Sequence, residues 1–338
     1  MRKTSEESSG DKTSYFFFLE DFTFFLLSCC TLIVAVAIVG NLMVCYVIMV
    51  DRNLRNNPMR LFLLSLVISD LVTLTVVAAL DIAVFFCSGV LLNGEHLCKI
   101  FTIIFVTSVP SSVWTLLPIS IWCLKNLSDP LNHLRRSPFL TSKRALIAII
   151  FIWLYNVLFA AIPSMVWRDA PDESLIFKEV CWFPQSRAYA LIPVILNFIL
   201  PLIITSGIHC FKIYLIAHQR KRTELVGDSL SFMEDNKTYL ENMKDGKSIV
   251  MFIAVFFFCW LPYSTFIIFI SLCNSCWAWI PEDRAFYFLL ICGYLNSALN
   301  PILFAIWNRS FKAMYLRLLS LALSKSHPNN NRPDGKVS

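Results

Sequence analysis

The sequence predicts an all-α membrane protein, a seven-transmembrane helix bundle followed by a short amphipathic eighth helix. Three observations carry this. Seven apolar runs occur, at Phe22–Val50, Leu61–Leu92, Ile100–Leu124, Ala145–Trp167, Ala188–Phe211, Ser248–Leu272 and Ala285–Trp307, and each meets or exceeds the roughly 20 residues that span a bilayer as a helix. Only 15% of the residues are charged and 57% are hydrophobic, whereas soluble domains carry about 25% charge. The basic residues alternate from one connection to the next.

That alternation sets the topology. Arg52, Arg55 and Arg60 lie between spans one and two, and Lys125, Arg135, Arg136, Lys143 and Arg144 between three and four. Lys212, Arg220, Lys221, Arg222, Lys237, Lys244 and Lys247 follow span five, and the tail adds Arg309, Lys312, Arg317, Lys325, Arg332 and Lys336. These are 21 of the 29 Lys and Arg residues. Positive flanks stay cytosolic, so the N-terminus is expected outside. The expected parts are an extracellular segment 1–21, a membrane domain 22–307 and a cytoplasmic eighth helix and tail 308–338 of a multi-pass plasma-membrane protein. The net charge of +6 is orientation charge beside anionic lipid and requires no nucleic-acid partner. Span one is too long for a signal-peptide core and no small-residue cleavage site follows it. Sequons begin at Asn126, Asn236 and Asn308, all on the expected cytosolic side.

Within the spans, few polar residues stand out. Asp70 and Asp81 interrupt span two. A carboxylate at bilayer depth is costly unless neutralised or paired, and no Lys or Arg is expected in any span to pair with Asp70. Span seven carries Asn296, Ser297 and Asn300 ahead of Pro301. The three polar residues crowd one helix face, which must look into protein or trapped water. Packing glue between helices is the plain alternative. With Ser112 of span three they form a set of one carboxylate and neutral oxygens, which suits a hard cation such as sodium; a protonated Asp70 in a hydrogen-bond network is the alternative. Cys98 and Cys181 share the oxidising side and are expected to form a disulfide. Cys273 and Cys276 form a C-x-x-C pair, bonded or free. No Cys/His pattern with zinc spacing occurs, no cofactor is required, and no enzyme chemistry is expected.

The ordered landmarks identify a family. Gly40–Asn41, Leu66–Val–Ile–Ser–Asp70, Cys98, Pro130–Leu131, Trp153, Pro201, Phe258–Cys–Trp260–Leu–Pro262 and Asn300–Pro301–Ile–Leu–Phe304 fall in sequence along the seven spans and their connections, and Asn308–Arg–Ser–Phe311 opens the eighth helix. This resembles a rhodopsin-like (class A) G protein-coupled receptor over nearly the whole chain. The resemblance implies a cell-surface receptor that binds an extracellular small molecule or peptide and signals to a heterotrimeric G protein or arrestin. It implies a sodium pocket at Asp70, Ser112, Asn296, Ser297 and Asn300, and a switch built from Trp260, Pro262, Asn300 and Pro301. It also places a ligand pocket at Phe101, Phe105, Val109, Asn197, Trp260, Tyr263, Ile267 and Tyr294, with Asp81 as the acidic candidate for a cationic ligand.

The departures from that pattern are as specific. Trp122–Cys123–Leu124 stand where the family carries its acid–Arg–Tyr triplet, Phe304 and His209 where it carries two tyrosines, and Pro110 and Pro118 interrupt span three. Weak G-protein activation is the expectation, with the basic loop Arg220–Lys221–Arg222 and the eighth helix as the working cytosolic surface. Amine receptors place an aspartate where Phe105 stands, so a typical monoamine site is disfavoured. Tyr294 occupies the retinal-lysine position, which excludes an opsin. The competing function class is a seven-span binding protein without ordinary signalling, a decoy or heteromer partner; a transporter ranks behind both, because inverted repeats are absent.

Overall fold

In lipid every backbone polar group must be satisfied within the segment, so an isolated apolar run becomes a helix. The computed structural model describes residues 7–51, 57–86, 95–128, 139–166, 191–226, 229–273, 284–307, 311–313, 315–317 and 320. Among them seven helices are long and apolar enough to cross a membrane: Phe24–Val50, Met59–Ala83, Ile100–Lys125, Ser142–Ala161, Leu191–His218, Val250–Phe269 and Phe288–Ile306. Some extend beyond the membrane, the first over Glu7–Val50 and the sixth over Ser229–Leu272. We call the end formed by the close of spans one, three, five and seven the basic end, and the opposite one the far end.

The spans close into a ring. Span one packs against two and seven, two against three, three against five, five against six and six against seven, while span four lies outside against three and two. Spans one and seven approach closely because Gly40 has no side chain: a Cβ there would sit 2.9 Å from Cγ of Pro301. Polar bonds fix the other seams. The indole of Trp153 donates to Ser65 Oγ at 3.0 Å, Asn156 Nδ2 donates to Ser111 Oγ at 3.2 Å, and Thr73 Oγ1 donates to Ser108 Oγ at 2.9 Å.

Spans two and five each contain one wider π-helical turn, Thr73–Ala78 and Val194–Ile199. Such a turn inserts an extra residue and rotates the remainder of the helix. The second precedes Pro201, which has no N–H to complete the regular ladder. The first contains no Pro or Gly. Pro110 and Pro118 are accommodated in one continuous helix, Glu95–Ser128.

Beyond span seven, residues 311–313 and 315–317 are helical. Phe311 is buried against Phe304, ring centroids 5.6 Å apart. Tyr315, one turn later on the same face, donates to the Gly40 carbonyl at 3.1 Å. Burial pushes the Tyr315 phenol up to about 12, so it remains a neutral donor. Phe304 also meets Phe252 of span six at 5.2 Å. The ring that replaces a tyrosine therefore joins span six to the tail helix by apolar stacking.

One expectation is corrected. The basic residue Lys212 belongs to span five, which runs on to His218, and its side chain is only 1% exposed. The apolar run ended at Phe211, but the helix continues and turns Lys212 toward the bundle interior. The spans therefore do contain a lysine.

Candidate functional site

Three polar stations lie along the bundle axis. The central one is Asp70, 2% exposed. Ser297 Oγ donates to its Oδ1 at 2.8 Å and Asn300 Nδ2 to its Oδ2 at 2.7 Å. The i, i+3 spacing on span seven puts both donors on one face. Asn41 extends the network by donating to the Ser297 carbonyl at 2.9 Å, with its own Oδ1 buried and unpartnered among the described residues. Ser112 is buried but donates back to the Val109 carbonyl at 2.8 Å. Asn296 is buried on span seven, and no hydrogen bond links it to the carboxylate among the described residues.

Toward the far end, Asp81 is 8% exposed and accepts a hydrogen bond from the Tyr294 hydroxyl. Beside it, Phe101, Val109, Trp260, Tyr263, Ile267 and Tyr294 belong to one buried cluster, with Phe105 packed against it. Phe105 lies 6.1 Å from both Trp260 and Tyr263, and these two meet edge to face at 5.7 Å. Asn197 is placed differently: its Oδ1 accepts from Tyr155 of span four at 3.1 Å. The next residue, Phe198, packs against Trp260 at 5.5 Å instead. Sequence reasoning missed Phe198; the nearby Pro201, which lacks an N–H to complete the regular ladder, was the one signal available. It also missed Gly293, whose bare Cα lets the Trp260 ring lie against span seven.

The Trp260 indole nitrogen and Asn197 Nδ2 are buried without a hydrogen-bond partner among the described residues. Pro262 lies on the exposed face of span six and Pro301 on the buried face of span seven. The Cys98 side chain and all of Cys181 lie outside the described residues. Arg220, Lys221 and Arg222, expected in a loop, continue the fifth-span helix Leu200–Val226; the apolar run ends at Phe211 but the helix does not, and their side chains lie outside the described ones. Cys273 is disulfide-bonded; Cys276 lies outside them.

At the basic end, Cys123 is buried with Met59, Phe62, Ile119 and Ala145, an apolar cluster joining spans two, three and four. His209 Nε2 and Ser120 Oγ are 2.9 Å apart, tying span five to span three.

Residues 40–304 match the family model for the seven transmembrane receptor of the rhodopsin family. The chain is 24% identical to dopamine receptor 1 of Drosophila melanogaster, over 89% of this chain and 65% of that receptor. It is 28% identical to a histamine H2 receptor of Cavia porcellus, over 89% of this chain and 81% of the relative, and 26% identical to an adenosine receptor A2b of Gallus gallus, over 87% and 88%. The chain thus spans about two thirds of the length of the dopamine receptor and more of the other two. With one ordered landmark per helix, seven membrane-crossing helices and a family match across nearly all of them, this chain belongs to the rhodopsin family of seven-transmembrane receptors.

Proposed function

We propose that this receptor binds a small cationic ligand with Asp81 as its counter-ion, and that it signals to a heterotrimeric G protein from the plasma membrane with its basic end in the cytosol. The observation that carries the ligand reading is the buried Asp81 carboxylate, which has a neutral tyrosine partner and no cation among the described residues. An ammonium group beside it would gain a charge-assisted bond in a site of low dielectric. The rings of Phe105, Tyr263 and Tyr294 offer cation–π contact, and the unpartnered Trp260 indole N–H offers a donor. Relatives named for dopamine and histamine are named for amines. The acid would be presented by span two, since span three carries Phe105 where those receptors have it. The distribution of Lys and Arg supports the orientation.

Sodium fits the central station. One carboxylate and the oxygens of Ser297 and Asn300 form a hard donor set, and no cation neutralises Asp70 among the described residues. Asp70, Ser297 and Asn300 would hold the ion, which would supply charge neutralisation and tie span two to span seven.

The ligand test is thermal stabilisation of the purified receptor by a panel of biogenic amines and by the uncharged alcohols of the same skeletons. A ligand at about 100 times its Kd stabilises by about 2.7 kcal/mol. An amine should raise Tm in the wild type and lose that effect in Asp81→Asn, while a neutral analogue behaves alike in both. Equal loss for charged and neutral compounds would show that Asp81 is structural.

A further inference from the structure

We infer that the cleft between spans four and five, floored by span three, binds a membrane lipid through a hydroxyl group carried on the lipid's hydrocarbon part. The inference is independent of the ligand reading at Asp81 and needs only that the spans lie in a bilayer. Spans four and five each pack along span three but barely against one another. A hydrogen bond bridges them, from the Tyr155 hydroxyl to Asn197 Oδ1 at 3.1 Å. Four buried polar atoms along this cleft have no partner among the described residues: Thr107 Oγ1 and Trp114 Nε1 of span three, Asn156 Oδ1 of span four and Asn197 Nδ2 of span five. Thr107, Ser111 and Trp114 follow at i, i+4 and i+7, on one helix face. Asn156 Nδ2 donates to Ser111 Oγ at 3.2 Å, and the Trp114 ring meets Tyr155 edge to face at 5.7 Å, so the four atoms belong to one seam. Asn156 and Asn197 are both 0% exposed. An unmet polar group within a membrane is costly, and this seam concentrates several of them.

The chemistry of the seam selects the occupant. The Trp114 indole and the Asn197 amide nitrogen can only donate, and Asn156 Oδ1 can only accept. The matching group both accepts and donates, as a hydroxyl does with two lone pairs and one proton. None of the side chains that form the seam is charged, so an ionic group would be buried there without a counter-ion. Trp114 lies near the middle of span three, Ile100–Lys125, so the hydroxyl is needed at hydrocarbon depth and is carried on the tail or ring system of the lipid, not on its headgroup. The walls suit the rest of such a molecule: Leu154 and Leu158 of span four and Ile195 and Leu196 of span five are exposed. The half-buried rings of Trp114, Tyr155 and Phe159 stand at the edge of the cleft, the last two 5.8 Å apart. The wider turn Val194–Ile199 brings Asn197 to this seam and to Tyr155.

The test uses full-length receptor in phosphatidylcholine nanodiscs and two pairs of lipids: a side-chain-hydroxylated sterol against cholesterol, and a mid-chain-hydroxylated stearoyl glycerol against stearoyl glycerol. The hydroxylated member of at least one pair should raise Tm saturably and bind on the order of tenfold more tightly than its parent, the effect of one hydrogen bond to a buried, otherwise unmet group. Trp114→Phe and Asn197→Leu each remove a donor while keeping most of the side-chain bulk, and each should erase that preference without changing the parent's weaker effect. A diazirine analogue of the preferred lipid should label the wild type at Tyr155 or Phe159. If Asn197→Leu, which also deprives Tyr155 of its acceptor, does not fold, Trp114→Phe and the labelling decide. Equal binding within both pairs overturns the inference, and is the result expected if trapped water fills the seam. A preference for the hydroxylated lipid that survives either folded variant, or labelling confined to other helices, overturns it as well. None of these outcomes bears on Asp81, so the ligand reading stands or falls separately.

Discussion

Gly293→Ala is the sharpest probe of how the indole at the base of the pocket is held. A Cβ at position 293 would meet the Trp260 ring at 2.7, 2.8 and 3.1 Å. Ordinary contact begins at 3.4 Å, so ring and backbone must separate by about 0.7 Å. The indole has little room to retreat, being flanked by Phe105, Phe198, Phe256 and Tyr263 at centroid distances of 5.5 to 6.3 Å. Forcing one extra methyl into such packing costs about 1–3 kcal/mol. A smaller ring should relieve it: Trp260→Phe destabilises the parent by leaving a cavity but should restore much of the loss in the Gly293→Ala background. The assay is a double-mutant cycle on thermal or denaturant stability in one fixed detergent. A coupling of about 1 kcal/mol or more is expected, because residues in contact do not add. Additive effects would show that Trp260 does not depend on the bare glycine.

Two further outcomes are expected. Sodium should raise Tm relative to a large organic cation at equal ionic strength, and Asp70→Asn should abolish that difference; a full sodium response in Asp70→Asn would place the ion elsewhere. Cys123→Arg should lower Tm markedly without creating coupling, because a guanidinium would enter the apolar cluster of Met59, Phe62, Ile119 and Ala145 without a partner there. Unchanged stability would mean that the side chain escapes to water.

The seven spans were legible because lipid imposes both helix formation and a minimum length, and both leave long uncharged runs. The pairing of Asp70 with span seven was legible for a related reason: a carboxylate in lipid must find polar partners, and Ser297 and Asn300 were spaced to provide them. The π-helical turns were harder to see. Thr73–Ala78 contains no Pro or Gly, so no residue in it signals an irregular turn. Its counterpart in span five moved Phe198 into the aromatic cluster and left Asn197 on Tyr155. Lys212 was misplaced for a different reason. Hydropathy registers that a charge is present but not which way a helix points it. The spacing of Thr205, His209 and Lys212 on one helical face held that information.

Span seven explains why the two acids of span two cannot be treated as separate sites. Tyr294, Ser297 and Asn300 succeed one another at three-residue steps, so the helix presents a single polar stripe. Its far end bonds Asp81, and its middle bonds Asp70 twice. Asn41 grips the backbone of the same stripe at Ser297, and Gly40 lets span one close on Pro301 one residue past Asn300. A rigid helix held at these points cannot shift at one without straining the next, since packed elements move between discrete arrangements and do not deform smoothly. A cation drawn to Asp81 competes with the Tyr294 hydroxyl for the same carboxylate. Loss of that bond releases the far end of the stripe while the bonds to Asp70 still hold its middle. If Asp81 takes a cation as proposed, the bonds of Tyr294, Ser297 and Asn300 on one helix would link that event to the Asp70 station.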